Sequence, residues 1–375
     1  MKSTDKYLFN EERDGKKLML SSSQITQFLK CRKAWSYSYR QNLTTRVERP
    51  YLTIGKLCHI GMQYAFKEKY RQDTINKYNE EACICLGKHE INKAFNQYMS
   101  ENCFLEEEIP MLKQLEFDSE IIFERTFRSI NAKNIEVVTI NDIPALELHF
   151  VIPITRTKYL HGFIDAIFKD KTTGETWIVD YKFRKSLSDV DDEAYNMQNA
   201  IYMYAAKYLG VQVNGSVTYQ ALNQAPTLPT LNKNGTVSRA KIKTDWETYK
   251  AFLEIHDQNP DDYAEEMIPK LADIEWFRPI KEFRNEETLE RIWHDVVLVA
   301  ADQIYKAYKL KTDKTCLKSM FPFNCKLCQF AQLCQGELRH YDVEYLKNTV
   351  YVNKNKNIEI ESDKDILDNP NLPMV

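Results

Sequence analysis

The chain has 375 residues, 43% hydrophobic and 28% charged, with 51 Lys plus Arg against 54 Asp plus Glu. That balance excludes wholesale disorder and a histone-like polycation, and leaves room for a local basic groove beside acidic metal ligands. No apolar run of roughly 18 residues occurs. The charged opening MKSTDKYLFNEERDGKK has no apolar centre, so neither a membrane span nor a signal peptide is expected and a cytoplasmic location is. In that reducing setting the nine cysteines read as metal ligands or small buried residues rather than a disulfide framework.

In chain order, residues 1–20 read as a polar lead-in. Ser21-Ser22-Ser23-Gln24 caps a helix carrying Ile25, Phe28 and Leu29 at helical spacing. Helical patterns continue through 51–130, one of them marked by Leu57, Met62, Ala65 and Phe66. Near residue 136 the texture turns strand-like, with EVVTI, ALELHFVIPI, YLHGFIDAIF and TWIVDYKF, then a helix around 190–209, then VNGSVTYQAL. Period-two alternation places Leu146, Leu148, Phe150 and Ile152 on one face. Three strands, a helix and a strand make an α/β or α+β core; the fold class expected is α/β, a small mixed sheet flanked by helices. Residues 222–245, with Pro226, Pro229 and Asn234-Gly235, read as loop, and 246–310 as helix. These shifts divide the chain into a helical region (1–135), a core (136–221), a loop and helical region (222–315), a cysteine-cluster region (316–345) and a polar tail (346–375) forming a weak hairpin or no structure.

The richest segment is His161-Gly162-Phe163-Ile164-Asp165, a polar turn, then Ile178-Val179-Asp180-Tyr181-Lys182. Residues two apart in a strand point the same way, so Asp180 and Lys182 share a face. An antiparallel turn centred between Thr172 and Thr173 puts Asp165 opposite Asp180, with Cβ atoms roughly 4.5–5.5 Å apart. Two carboxylates that close repel unless a hard divalent cation sits between them, and Mg²⁺ takes such a pair together with phosphate oxygens and water. Lys182 on the same face could hold a water or a developing phosphate charge. A lone D-x-K is ordinary strand charge; the neighbouring motifs change its meaning.

Gly162-x-x-Asp165 followed by Asp180-Tyr181-Lys182 resembles the PD-(D/E)XK nuclease superfamily, with its restriction-endonuclease-like core, in the RecB-like branch. Gln198 and Tyr202 match that branch's Q-x-x-x-Y helix, and Gly55 and His59 its upstream G-x-x-x-H helix. The resemblance implies Asp165, Asp180, His59 and the Tyr181 carbonyl as ligands to Mg²⁺ or Mn²⁺. It implies Lys182 as the residue that positions or activates the attacking water, and Gln198 and Tyr202 as supports that touch the nucleic-acid backbone. Glu147 could add an acidic ligand, although a solvated strand glutamate is the commoner arrangement.

Cys325-x2-Cys328-x5-Cys334 is a tight thiolate group that wants a fourth ligand, for zinc or for a [4Fe–4S] cluster. Cys316 is local and Cys31 distant. Ser23-Gln24-Ile25-x-x-Phe28-x-x-Cys31, followed by Trp35 and Tyr39, is similar to the N-terminal motif of RecB-like iron–sulfur exonucleases of the AddB and CRISPR-adaptation types. That resemblance implies a [4Fe–4S] cluster on Cys31, Cys325, Cys328 and Cys334, stapling the two chain ends, with zinc as the alternative. Arg32 departs from the family, in which many relatives have proline there. Cys58, Cys83, Cys85 and Cys103 show no partner pattern and read as incidental thiols.

Residues 30–49 interleave Lys30, Arg32, Lys33, Arg40, Arg46 and Arg49 with Trp35, Tyr37 and Tyr39. Arg184 and Lys185 add a second basic spot. Basic side chains suit phosphates and aromatics suit unpaired bases, while the bland alternative is a solvated helix whose aromatics are core. No G-x-x-x-x-G-K-[ST] loop is present, so any helicase or recombination partner would be a separate protein. The expectation is a metal-dependent DNA nuclease, an exonuclease acting on single strands or ends. Its rivals are a non-catalytic DNA-end-binding scaffold of the same fold, a zinc-containing nuclease, and a zinc-dependent hydrolase or redox protein centred on the cysteines.

Overall fold

A computed structural model describes residues 18–45, 50–101, 104–310 and 316–353. The first strand, β1 (Leu18–Leu20), leads into α1 (Ser22–Lys30), capped by the Ser21 hydroxyl, which accepts from the Gln24 N–H. The short α2 (Arg32–Trp35) runs into a π-turn at Ser36–Arg40, followed by β2 (Leu43–Thr45). Three long helices come next: α3 (Pro50–Thr74), α4 (Glu80–Glu101) and α5 (Ile109–Asn131). Short strands β3 (Ile135–Val137), β4 (Thr139–Ile140) and β5 (Ile143–Pro144) precede the long β6 (Leu146–Thr155), β7 (Lys158–Asp170) and β8 (Thr176–Arg184). Then follow α6 (Val190–Ala194), α7 (Met197–Tyr208) and β9 (Gly215–Leu222). Helices α8 (Trp246–Ile255) and α9 (Asp261–Leu271) lead to β10 (Phe277–Phe283).

The last part holds α10 (Glu286–Ile292), a π-turn, and α11 (Val299–Lys309). It ends with α12 (Pro322–Lys326), α13 (Ala331–Leu338), α14 (Val343–Thr349) and β11 (Tyr351–Asn353). None of the described helices is long and apolar enough to cross a membrane.

The expected mixed sheet flanked by helices is present, with seven strands in the order β1-β7-β8-β9-β10, and β3 and β6 also on β7. Two strands exceed the sequence reading. β1 lies in the stretch read as lead-in, and β10 in the stretch read as loop and helix. Both are short or polar-patterned segments that take strand form by pairing with neighbours already in the sheet. β8 and β9 are parallel, and every β9 residue is buried. One face of the sheet packs Phe168, Trp177, Val179 and Tyr181 against α3, α4 and α5. The other packs Ile164, Ile167 and Ile178 against α1, α7 and α11.

Strand alternation breaks beside Glu147, both in β6 and in the facing part of β7, where Ile164 packs on the α7 side and Ala166 on the α3 side. Leu148, Phe150 and Ile152 face the α7 side, as expected, but Leu146 packs on the α3 side. Glu147 between them has φ +47°, a left-handed backbone that turns the strand over.

The three long helices meet around Phe123 at two glycines. A Cβ on Gly87 would lie 2.2 Å from the Phe123 ring, and one on Gly61 2.7 Å from it. Early and late segments of the described chain also meet. β2 pairs with β11, and Ala34, Tyr37, Leu43, Phe330, Leu333 and Tyr351 form a small core there. The stretch read as tail therefore begins ordered, in α14 and β11; its remainder lies outside the described residues.

Gly→Ala within a helix normally gains up to about 1 kcal/mol. Gly87→Ala is expected instead to cost about 1–3 kcal/mol through overpacking against Phe123, lowering Tm by several degrees in a thermal melt. A raised Tm would show that Phe123 moves aside freely.

Candidate active site

The β7–β8 hairpin has the register expected from its turn: Lys169 pairs Thr176 and the ladder runs to Ala166–Val179. Gly174, at φ +76°, closes the turn, where the Asp170 carboxylate accepts from the Thr172 and Thr173 N–H groups. The next facing residues are Asp165 and Asp180. There the backbone ladder stops, and the Tyr181 N–H donates to Asp165 Oδ2 at 2.9 Å. The N–H and C=O of a strand residue point to the same side, so the Tyr181 carbonyl is turned toward β7 as well.

On the other side of β7, Glu147 lies between the Leu146–Ala166 and Leu148–Ile164 pairs and so faces Asp165. Three carboxyl groups from three adjacent strands thus form one row. His59, on α3, brings Nδ1 to 3.5 Å from Asp165 Oδ2. One ligand atom each from His59, Glu147 and Asp165 lies within 4.8 Å of the others. The His59 ring is wedged edge-on against Tyr181 and Phe183, at 5.8 and 5.6 Å.

Asp180 is 1% exposed. Its Oδ1 accepts from Lys182 Nζ at 2.7 Å and from Gln198 Nε2 at 3.3 Å. Gln198 also reaches the Tyr202 hydroxyl at 3.1 Å, one turn along α7. Asp180 Oδ2 is buried and has no hydrogen-bond partner, which is costly for a carboxylate. Burial, with repulsion from Asp165, raises the Asp180 pKa against the pull of Lys182 and His59. Burial, and then Asp165, pushes Glu147 up to about 7. For Lys182, burial disfavours the charge, but Asp180 and Asp165 outweigh it and the pKa is raised, leaving an ammonium.

Glu147 is the residue that sequence reasoning undervalued. A simple two-residue turn at Arg156-Thr157 would set it opposite Ala166. The β6–β7 register shifts by one between Pro153 and Thr155, and that bulge sets it opposite Asp165.

Cys31, Cys325, Cys328 and Cys334 line one cavity of about 620 Å³. Cys316 packs elsewhere, in the core on the α7 side. Cys58 and Cys83 are buried among the long helices and Cys85 is exposed; Cys103 lies outside the described residues. Of the expected phosphate contacts, Lys185 is exposed, and Arg184 bonds Ser188 Oγ at 2.6 Å with Glu193 at 3.7 Å. Arg40 is half-buried, and Arg32 donates to Gln303. Lys33 departs from expectation: its side chain is 8% exposed and paired with Glu337 at 2.9 Å. Trp35 and Tyr37 are fully buried and serve the core, not base stacking. Apolar burial of these rings outweighs display at a surface. Arg46 and Arg49 lie outside the described residues.

Comparison with known proteins gives a family match over residues 19–335, to the PD-(D/E)XK nuclease superfamily. No curated protein matches the chain. Among solved structures it is similar to one described as the crystal structure of SSO0001, at 12% identity over 64% of this chain and 80% of that chain, with a TM-score of 0.25. The family match spans most of the sequence, from β1 to the last of the four clustered cysteines. This chain belongs to the PD-(D/E)XK nuclease superfamily.

Proposed function

We propose that the protein is a metal-dependent nuclease that hydrolyses phosphodiester bonds of DNA, an exonuclease acting on single strands or ends. We further propose that it belongs to the RecB-like branch with a structural iron–sulfur cluster. The observation that carries the nuclease reading is the carboxylate row Glu147, Asp165 and Asp180 with His59 beside it and Lys182 on Asp180, in a superfamily whose members are mostly nucleases.

His59, Glu147 and Asp165 would hold Mg²⁺ or Mn²⁺, with Asp180 Oδ2 and the Tyr181 carbonyl as further oxygen donors. The buried, unpartnered oxygen of Asp180 and the raised pKa of Glu147 are what a site lacking its counter-charge should have. The ion would supply Lewis acidity and a more acidic water. Lys182, kept charged by Asp180 and Asp165, orients the attacking water and offsets charge on the phosphate rather than taking a proton. Gln198 fixes both Asp180 and Lys182, and Tyr202 fixes Gln198. Arg184 and Lys185 extend the positive charge along the strand path. Duplex DNA would need opening by a separate helicase or recombination partner.

Cys31 meets Cys325, Cys328 and Cys334 in one cavity. Four thiolates are the donor set of a [4Fe–4S] cluster or of one zinc ion, and the resemblance of the cysteine pattern to the iron–sulfur exonucleases favours the cluster.

On end-labelled single-stranded and duplex DNA, Mn²⁺ should produce shortening from ends, and EDTA none. Lys182→Ala and Asp165→Ala should bind DNA but cleave at least about a hundredfold more slowly; wild-type rates would remove these residues from the mechanism.

The Glu147 carboxyl contributes stability to the metal-free fold that is present below its ordinary value of 4.5 and lost as pH rises through about 7. Mn²⁺ affinity should tighten over the same rise, as the proton leaves. Glu147→Gln should flatten both trends in thermal melts and titration calorimetry, and unchanged profiles would exclude Glu147 as a ligand. Purified without oxygen, the protein should be brown, with about four irons per chain; a colourless protein with one zinc would overturn the cluster.

A further inference from the structure

A cleft of about 740 Å³ opens beside Lys182 and Gln198 and extends past Lys30 of α1 to the turn between α6 and α7. At its rim stands Tyr195, 90% exposed. Exposed tyrosines are common, but this one sits on a turn held unusually firmly. The Glu193 and Ala194 carbonyls both accept from Arg284, at 2.8 and 3.2 Å. The Glu193 side chain, 2% exposed, accepts from Thr218 Oγ1 at 2.9 Å and from Asn196 Nδ2 at 2.8 Å. Asn196 also caps α7 through the Asn199 N–H. Residues on both sides of Tyr195 are therefore held, Glu193 to β9 through Thr218 and Asn196 to α7 through Asn199. Among the described residues its own side chain has no hydrogen bond, ring contact or ion pair. A fixed backbone displaying an idle aromatic ring is a preorganised contact surface.

We propose that this cleft is the subsite for an unpaired nucleotide of the substrate strand, with Tyr195 stacking on its base; this rests on the nuclease reading above. The lining is mixed in charge: Lys30 and Lys182 favour phosphate, Arg184 is drawn to Glu193 at 3.7 Å, and Asp192, three residues from Tyr195, disfavours phosphate at that end and leaves it to a neutral base. The strand therefore lies with its backbone toward the carboxylate row and its base toward Tyr195. Stacking on an aromatic face tolerates any base. Paired bases within a duplex cannot reach the ring, so the subsite selects single strands and frayed ends.

The test is fluorescence anisotropy with fluorescein-labelled oligothymidylate in EDTA, where no strand is cut. Tyr195→Ala should weaken binding about five- to hundredfold, and Tyr195→Trp should keep it near wild type. Both variants should bind a hairpin-capped duplex as the wild type does, and their melts should match. Wild-type affinity of Tyr195→Ala for the oligothymidylate, or Tyr195→Trp as weak as Tyr195→Ala, would overturn the subsite. If the wild type cuts DNA while Tyr195→Ala binds normally, the subsite alone falls. Tyr195-dependent binding without cleavage by the wild type would retain the subsite and sink the nuclease reading.

Discussion

Like charges placed side by side on adjacent strands repel, and Glu147, Asp165 and Asp180 are so placed at the point where β7 and β8 part. Each acid is handled differently. Asp165 takes a backbone N–H in place of the lost ladder and lies beside the His59 imidazole. Asp180 is held by Lys182 and Gln198, with one oxygen left over. Glu147 is driven toward its protonated form. The helices on the two faces supply these partners, α3 bringing His59 and α7 bringing Gln198 and Tyr202. The fold around the sheet is thus the support for a concentration of charge that a bare hairpin could not keep.

The polar row does not end at β8. Thr218 and Gln220 of β9 lie beside Asp180 and Lys182 in the parallel register. They pass hydrogen bonds to the buried Glu193, which in turn fixes the turn after α6. A satisfied buried network rigidifies what it touches. The same strand that carries Asp180 and Lys182 is in this way coupled to the rim of the neighbouring cleft through short contacts.

Segments far apart in the described chain are joined by ordinary packing around the cavity that Cys31, Cys325, Cys328 and Cys334 line. Tyr37 donates to Glu337 at 2.6 Å, Lys33 pairs with the same carboxylate, and the Lys33 N–H bonds the Leu317 carbonyl. Lys33 and Tyr37 look in sequence like nucleic-acid contacts because they alternate with basic residues. Their partner, Glu337, lies 300 residues from Tyr37 and further from Lys33, and no local pattern announces it.

The sequence by itself determined the residues whose relations are local: Asp180 and Lys182 on one strand face, Asp165 opposite Asp180 across a short turn, Gln198 and Tyr202 one helical turn apart. Strand parity, turn length and helix pitch decide these within a few residues. Tertiary structure alone decided that Glu147 joins the row, that Leu146 faces away from Leu148, that β1 and β10 complete the sheet, and that Trp35 and Tyr37 are core. Each depends on a bulge, an edge pairing or a burial whose free energy comes from residues far along the chain, and such long-range packing leaves no periodic trace in the amino-acid order.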